Sequence, residues 1–249
     1  MSFKQSVSTG IISALSEKEL QQILQIGITG LELTPVADLA KWRDRGYEIA
    51  SIGGHKSLQD GLNKKENFNR IADEIRANLQ AAKEFDVTSL ICLSGNREGK
   101  SDEEGKANTV AILKEVAPDA EAAGVLLVME LLNSKVNHPD YHCDSTPWGV
   151  DVVTAVNSPN VKLLYDVYHM QIMEGDLIRT IQDNHQHFAH YHTAGNPGRQ
   201  DLDDRQEIYY PAVARAIRDT GFTGWVGHEY RPKGNVVDSL REAFEACDV

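Results

Sequence analysis

Four side chains in this sequence stand where short apolar runs end. Glu130 follows Val125 to Met129, Asp166 follows Val161 to Tyr165, His192 closes Phe188 to His192, and Glu229 follows Trp225 to His228. The stretch around Asp166 reads VKLLYDVYHMQIMEGD over 161–176 and places His169 three residues after the carboxylate. A carboxylate at the end of a buried strand is costly unless it is paired or holds a cation. For Asp166 alone, an ion pair or a helix cap serves as well. The four together say more. Three carboxylates brought to one place repel and lose hydration unless a cation joins them. Three oxygen donors and one imidazole suit a divalent ion such as Mn²⁺, Mg²⁺ or Co²⁺ better than a structural zinc, which prefers thiolate and imidazole. Glu130 and Glu229 would then flank the ion. One can remove a proton beside a carbonyl and the other can return it, through a cis-enediolate held by the metal. That is aldose–ketose isomerisation or epimerisation. The competing account, four unrelated polar residues, has to explain four in register on consecutive strands.

The elements that must position these residues alternate along the chain. Strands are predicted at Phe3 to Ser8, Ile28 to Leu33, Tyr47 to Ile52, Thr88 to Leu93, Val125 to Met129, Val161 to Tyr165, Phe188 to His192 and Trp225 to His228. Ser16 and Ser101 have capping-box spacing to Glu19 and Glu104. Phe68, Ile71, Ile75, Leu79 and Ala82 give a helical stripe. Thr146-Pro147 opens a helix to about Val156, and shorter helices are predicted at Ala37 to Arg45 and Gly175 to Ile181. Tyr210, Val213, Ala214 and Ile217 mark another helix, and Val236 to Phe244 closes the chain. Eight strand–helix units of about 31 residues predict an α/β fold, a (β/α)₈ barrel in a single domain over 1–249, with chemistry where strands end. An open doubly wound sheet would carry a Gly-rich phosphate signature, which is absent. Side-chain alternation puts Leu126, Val128 and Glu130 on one face, with Leu164 and Asp166, Phe188, His190 and His192, and Trp225, Gly227 and Glu229.

Composition narrows the partners. With 41% hydrophobic and 25% charged residues, the 249-residue chain has material for an ordinary globular core. A net charge of −12 disfavours nucleic acid, which needs a basic surface. No apolar run approaches membrane-spanning length, and the polar start MSFKQSVSTG does not read as a signal peptide. Cys92, Cys143 and Cys247 are far apart and match no zinc or disulfide pattern, as expected of reduced thiols in a cytoplasmic protein.

The segments YDVYHMQIMEGD (165–176), NPGR (196–199), EIYYP (207–211) and GWVGHEYRPKG (224–234) closely resemble hydroxypyruvate isomerases, of the xylose-isomerase-like TIM barrels. The resemblance is strong over 125–234; before that it rests on strand rhythm. It implies Glu130 and Glu229 as acid–base pair and metal ligands, Asp166 as a third ligand, and His169 and Arg199 as substrate contacts. One position departs: the isomerase pattern carries Gln where this chain has His192, whereas related ketose 3-epimerases carry His. The substrate expected is a small keto or hydroxy sugar or sugar acid, with hydroxypyruvate leading and a ketose as alternative. Homo-oligomer formation is an expectation by analogy only. His55 and Lys135 are further candidates for the pocket, although a loop histidine and a solvated lysine explain them too. Trp148 reads as packing or pocket wall. His185 and His187 read as exposed approach residues, His190 as barrel interior, and Asp201, Asp203 and Asp204 as a solvated loop. An AP endonuclease shares the barrel but needs more metal ligands and a basic groove. A non-catalytic sugar-binding barrel would leave the two opposed glutamates without a purpose.

Overall fold

The computed structural model describes residues 3–249. Its sheet contains β1 (Lys4–Ser8), β2 (Ile28–Glu32), β3 (Glu48–Ile49), β4 (Ser51–Gly53), β5 (Ser89–Cys92), β6 (Leu126–Glu130), β7 (Val161–Asp166), β8 (Phe188–Thr193) and β9 (Trp225–His228). Every pairing is parallel, and β1 pairs with both β2 and β9. The sequence predicts eight strands. The ninth arises because the third is interrupted at Ala50, with β3 on β2 and β4 on β5. Ala50 bridges the two sides: its N–H donates to Leu31 O at 2.9 Å, and its carbonyl accepts from Ser89 N at 3.2 Å. The ladder thereby closes into the predicted barrel.

Helices α1 (Thr9–Ile12), α2 (Glu17–Ile26), α3 (Leu39–Asp44), α4 (Phe68–Glu84), α5 (Asp102–Ala123) and α6 (Thr146–Val156) follow the earlier strands. Ser16 and Glu19 form the reciprocal capping box of α2, worth about 1 kcal/mol. α4 buries Ile71, Ile75, Leu79 and Ala82, the predicted stripe. α7 (Val167–Met173), α8 (Leu177–Asn184), α9 (Tyr210–Asp219) and α10 (Val236–Cys247) complete the series. The sequence prediction gives α7 no range, although a helix cap is one reading of Asp166. It begins directly at Asp166, whose carboxylate accepts the N–H of His169 at 3.0 Å. The cap makes one residue both strand end and helix start, and α7 carries His169 towards the mouth.

The main apolar core lies between sheet and helices, while Ile91, Val128 and Leu164 form a small separate cluster inside the barrel. Trp225 fills the barrel below, where its indole N–H donates to Thr88 Oγ1 at 3.2 Å. Gly30 makes the space, since a β-carbon there would stand 2.4 Å from the Trp225 ring. The predicted alternation fails at Phe188. The register slips by one residue between Leu163 and Leu164, so Leu163 faces Phe188 but Leu164 faces His190. This bulge turns Phe188 outwards, 4.7 Å from the Tyr165 ring, and leaves His190 and His192 inside. Among the described residues no helix is long and apolar enough to cross a membrane.

Candidate active site

Strand pairing brings the four strand-end residues to one level of the barrel mouth. Asp166 is the register partner of His192, Glu130 of Leu164, and His192 of Gly227, two residues before Glu229. One donor atom from each of Glu130, Asp166, His192 and Glu229 lies within 4.8 Å of the others. Glu130 Oε1 and Glu229 Oε2 are each 3.2 Å from the same atom, His192 Nδ1. Glu130, Asp166 and His192 are buried, and Glu229 is partly open towards the mouth.

The electrostatics follow from this crowding. Burial works against a charged His192, but Glu130, Glu229 and Glu32 outweigh it and raise the imidazole well above its usual range. Burial pushes Asp166 up, although Arg199 and His192 oppose. Burial also works to raise Glu229, but hydrogen bonding and charge from His192, with Arg199, bring its carboxyl down to about 2. A protonated His192 thus supplies positive charge at the centre of three carboxylates. Once the proton leaves Nδ1, the donor set fits a divalent ion, which Glu130, Asp166, Glu229 and His192 Nδ1 would hold in place of that charge.

His169 is fully buried beside the cluster, with Nε2 3.7 Å from Asp166 Oδ2. Its Nδ1 accepts the Asn133 N–H at 3.2 Å, so the ring proton belongs on Nε2. Burial, then the charge of Arg199, lowers its pKa to about 3, and the ring is a neutral N–H donor at pH 7. Arg199 sits at φ 54° in the loop after β8 and donates to Glu229 Oε2 at 2.8 Å. Its loop is tied to α7 through Glu207, which accepts from Asn196 and Gln171.

The other two candidates are not brought to the cluster. Both ring nitrogens of His55 are engaged by backbone, Nδ1 with Lys56 O at 3.1 Å and Nε2 with Leu93 N at 3.0 Å. The Lys135 ammonium donates to the carbonyls of Ile172 and Met173, at 3.2 and 3.0 Å, where the unpaired carbonyls at the end of α7 attract it. That loop instead presents His138, whose ring lies 5.3 Å from that of His169. No sequence signal singles it out.

His185 and His187 precede β8 and therefore stand at the end of the barrel away from the mouth, not on an approach to it. Asp201 is buried rather than solvated: it accepts from Ser239 and from Lys233 N and fixes the loop after β8. Trp148 is packing, stacked on His142 at 4.9 Å. Sequence reasoning missed Glu32. It forms a second acidic and imidazole group with His190 and His192, completely buried below the first. Its signal, a carboxylate near the end of an apolar run, resembles that of the other strand-end acids, although Leu33 continues the run past it.

Fold and site define a (β/α)₈ barrel with a carboxylate-rich mouth built from its last four strands. The chain belongs to the xylose isomerase-like TIM barrel family, whose model matches residues 20–247. It is 31% identical over 170 residues to the hydroxypyruvate isomerase of Escherichia coli K12, covering 68% of this chain and 65% of that one. The chain spans between 45% and 65% of the length of the first curated relatives it matches. Among solved structures, an AP endonuclease of family 2 from Brucella melitensis superposes with a TM-score of 0.81 at 24% identity, over 95% of this chain and 96% of that one. A D-psicose 3-epimerase crystallised with D-fructose gives 0.78 at 18% identity, over 98% and 96%. These structural likenesses concern the fold.

Proposed function

We propose that the chain is a divalent-metal-dependent isomerase of a small keto or hydroxy sugar or sugar acid, with conversion of hydroxypyruvate to tartronate semialdehyde as the leading reaction. One observation carries the reading. Glu130 and Glu229, from strands on either side of β7 and β8, converge on one nitrogen of His192, with Asp166 beside them. The bound ion, Mn²⁺ or Mg²⁺ with Co²⁺ as a third candidate, would polarise the substrate carbonyl and hydroxyl. One glutamate carboxylate takes the proton from carbon and the other gives one back, through a cis-enediolate. His169 Nε2–H would donate to a substrate oxygen without carrying charge itself. Arg199, paired with Glu229 at 2.8 Å, offers a guanidinium to a substrate carboxylate. The resemblance to hydroxypyruvate isomerases over 125–234 and the relative from Escherichia coli support the leading substrate.

His192 favours a second reading, a ketose 3-epimerase. The same two glutamates would serve it, with a proton leaving one face of a carbon and re-entering the other. Nucleic acid is disfavoured by the charge of −12. The test is proton NMR in D₂O on metal-stripped protein with and without Mn²⁺, against hydroxypyruvate and a panel of free ketoses. Metal-dependent conversion of hydroxypyruvate is the expected result. Exchange confined to C3 of a ketose transfers the assignment to epimerase, and no exchange with any of them refutes both.

A further inference from the structure

Glu32 is 0% exposed at the end of β2, and the chemistry above gives it no part. An ionised carboxylate so deep is retained only where its lone pairs are all used. Ser6 Oγ donates to its Oε1 and Ser51 Oγ to its Oε2. The two serines come from β1 and β4, so the carboxylate is gripped from two sides. Beyond them it faces two imidazoles. His190 Nε2 lies 3.1 Å from Oε1, and His192 Nε2 lies 3.8 Å from Oε2. Neither nitrogen has an aligned hydrogen-bond partner among the described residues. The opposite nitrogen of His192, Nδ1, is the one that faces Glu130 and Glu229. An imidazole that holds an ion through one nitrogen carries its proton on the other, and a buried N–H needs an acceptor. Gly227 leaves the room for this arrangement: a β-carbon there would come within 3.0 Å of Glu32 Cγ and of His192 Cδ2.

We infer that Glu32 is a positioning residue for the metal centre: its carboxylate, 3.8 Å from His192 Nε2, is the acceptor towards which that N–H turns when an ion takes Nδ1, and so fixes Nδ1 towards Glu130, Asp166 and Glu229. The role rests on the metal reading proposed above. Ser6 and Ser51 hold Glu32 in place, and His190 closes its far side.

The test measures Mn²⁺ affinity by calorimetry on metal-stripped wild-type protein, Glu32→Gln and Ser51→Ala, alongside the melting of each metal-free protein. Glu32→Gln keeps the shape but offers a poorer acceptor, and should weaken Mn²⁺ roughly 10- to 100-fold. Ser51→Ala loosens the carboxylate and also removes the acceptor of the Leu33 N–H, and should weaken Mn²⁺ about threefold or more in the same direction. Ser51→Ala carries the test if Glu32→Gln does not fold. The second measurement is long-range ¹⁵N–¹H NMR of histidine-labelled, Zn²⁺-loaded wild type, which should show His192 protonated at Nε2 and bare at Nδ1. Unchanged affinity in the folded variants overturns the role, as does a metal found on Nε2. Two equivalents of Zn²⁺ with the His190 nitrogens shifted would instead make Glu32, His190 and His192 ligands of a second ion. Absence of Mn²⁺ binding by the wild type brings down the metal reading itself, whereas binding that ignores Glu32 brings down this inference alone.

Discussion

The two halves of the barrel do different work. The last four strands, β6 to β9, end in the four residues whose donor atoms crowd within 4.8 Å. The first five segments contribute none of these. They supply Ser6, Glu32 and Ser51, which sit beneath the cluster, and Gly30, whose missing side chain admits Trp225. On the proposed reading, the reactive groups lie on one half and their support on the other, an economical division for a closed sheet. The supporting half would then brace His192 from below, with the mouth above left to the substrate.

If this division is right, damage to the second half should destroy chemistry and damage at its edges should not. The largest effect is expected from Glu130→Gln or Glu229→Gln, each costing about 10²- to 10⁴-fold in turnover by the NMR assay. A variant retaining a tenth of the wild-type rate would remove that glutamate from the acid–base pair. Next, His192→Ala should cost at least roughly 100-fold in Mn²⁺ affinity, since it removes a ligand and leaves three carboxylates facing one another. Calorimetry showing wild-type affinity would place the ion elsewhere.

The third prediction concerns pH. His192 is raised in the folded protein, so in the absence of metal its proton stabilises the fold fully below the unfolded value of about 6.5. That stability is lost as pH rises through the raised folded value. A metal on Nδ1 must displace the proton, so Mn²⁺ affinity should rise about tenfold per pH unit between pH 6 and 8. Calorimetry in buffers of different ionisation enthalpy should register release of about one proton, and no release would contradict Nδ1 as ligand. The smallest effect belongs to Lys135→Ala. With its ammonium on the Ile172 and Met173 carbonyls, the change should alter KM less than about twofold and the fold by about 0.3–1 kcal/mol. A tenfold rise in KM would return Lys135 to the pocket.

The same division governs what the sequence made legible. The barrel rhythm and the four strand ends could be read because each breaks an apolar run, and because the resemblance was concentrated in the second half. Glu32 gave the same signal less cleanly, since Leu33 continues the run past it. Its partners Ser6 and Ser51 are small polar residues whose importance lies wholly in tertiary position. The break at Ala50 comes from strand geometry, and the outward turn of Phe188 comes from a bulge, which shifts register without any mark in composition. α7 was hidden because one aspartate ends a strand and caps a helix in the same step. Lys135 and His55 stayed open in the sequence for the opposite reason: residue type suggested function, while nearby backbone carbonyls and amides engage their polar atoms.

Trp225, admitted by Gly30, has one more consequence. It turns the barrel into a cul-de-sac. Trp225, with Ile91, Val128 and Leu164, packs the interior below the carboxylates, so on the proposed reading substrate and exchangeable protons would arrive and leave by the mouth. In the proposed reaction, traffic through the mouth would therefore set how long a proton taken from substrate stays on the protein before bulk water replaces it.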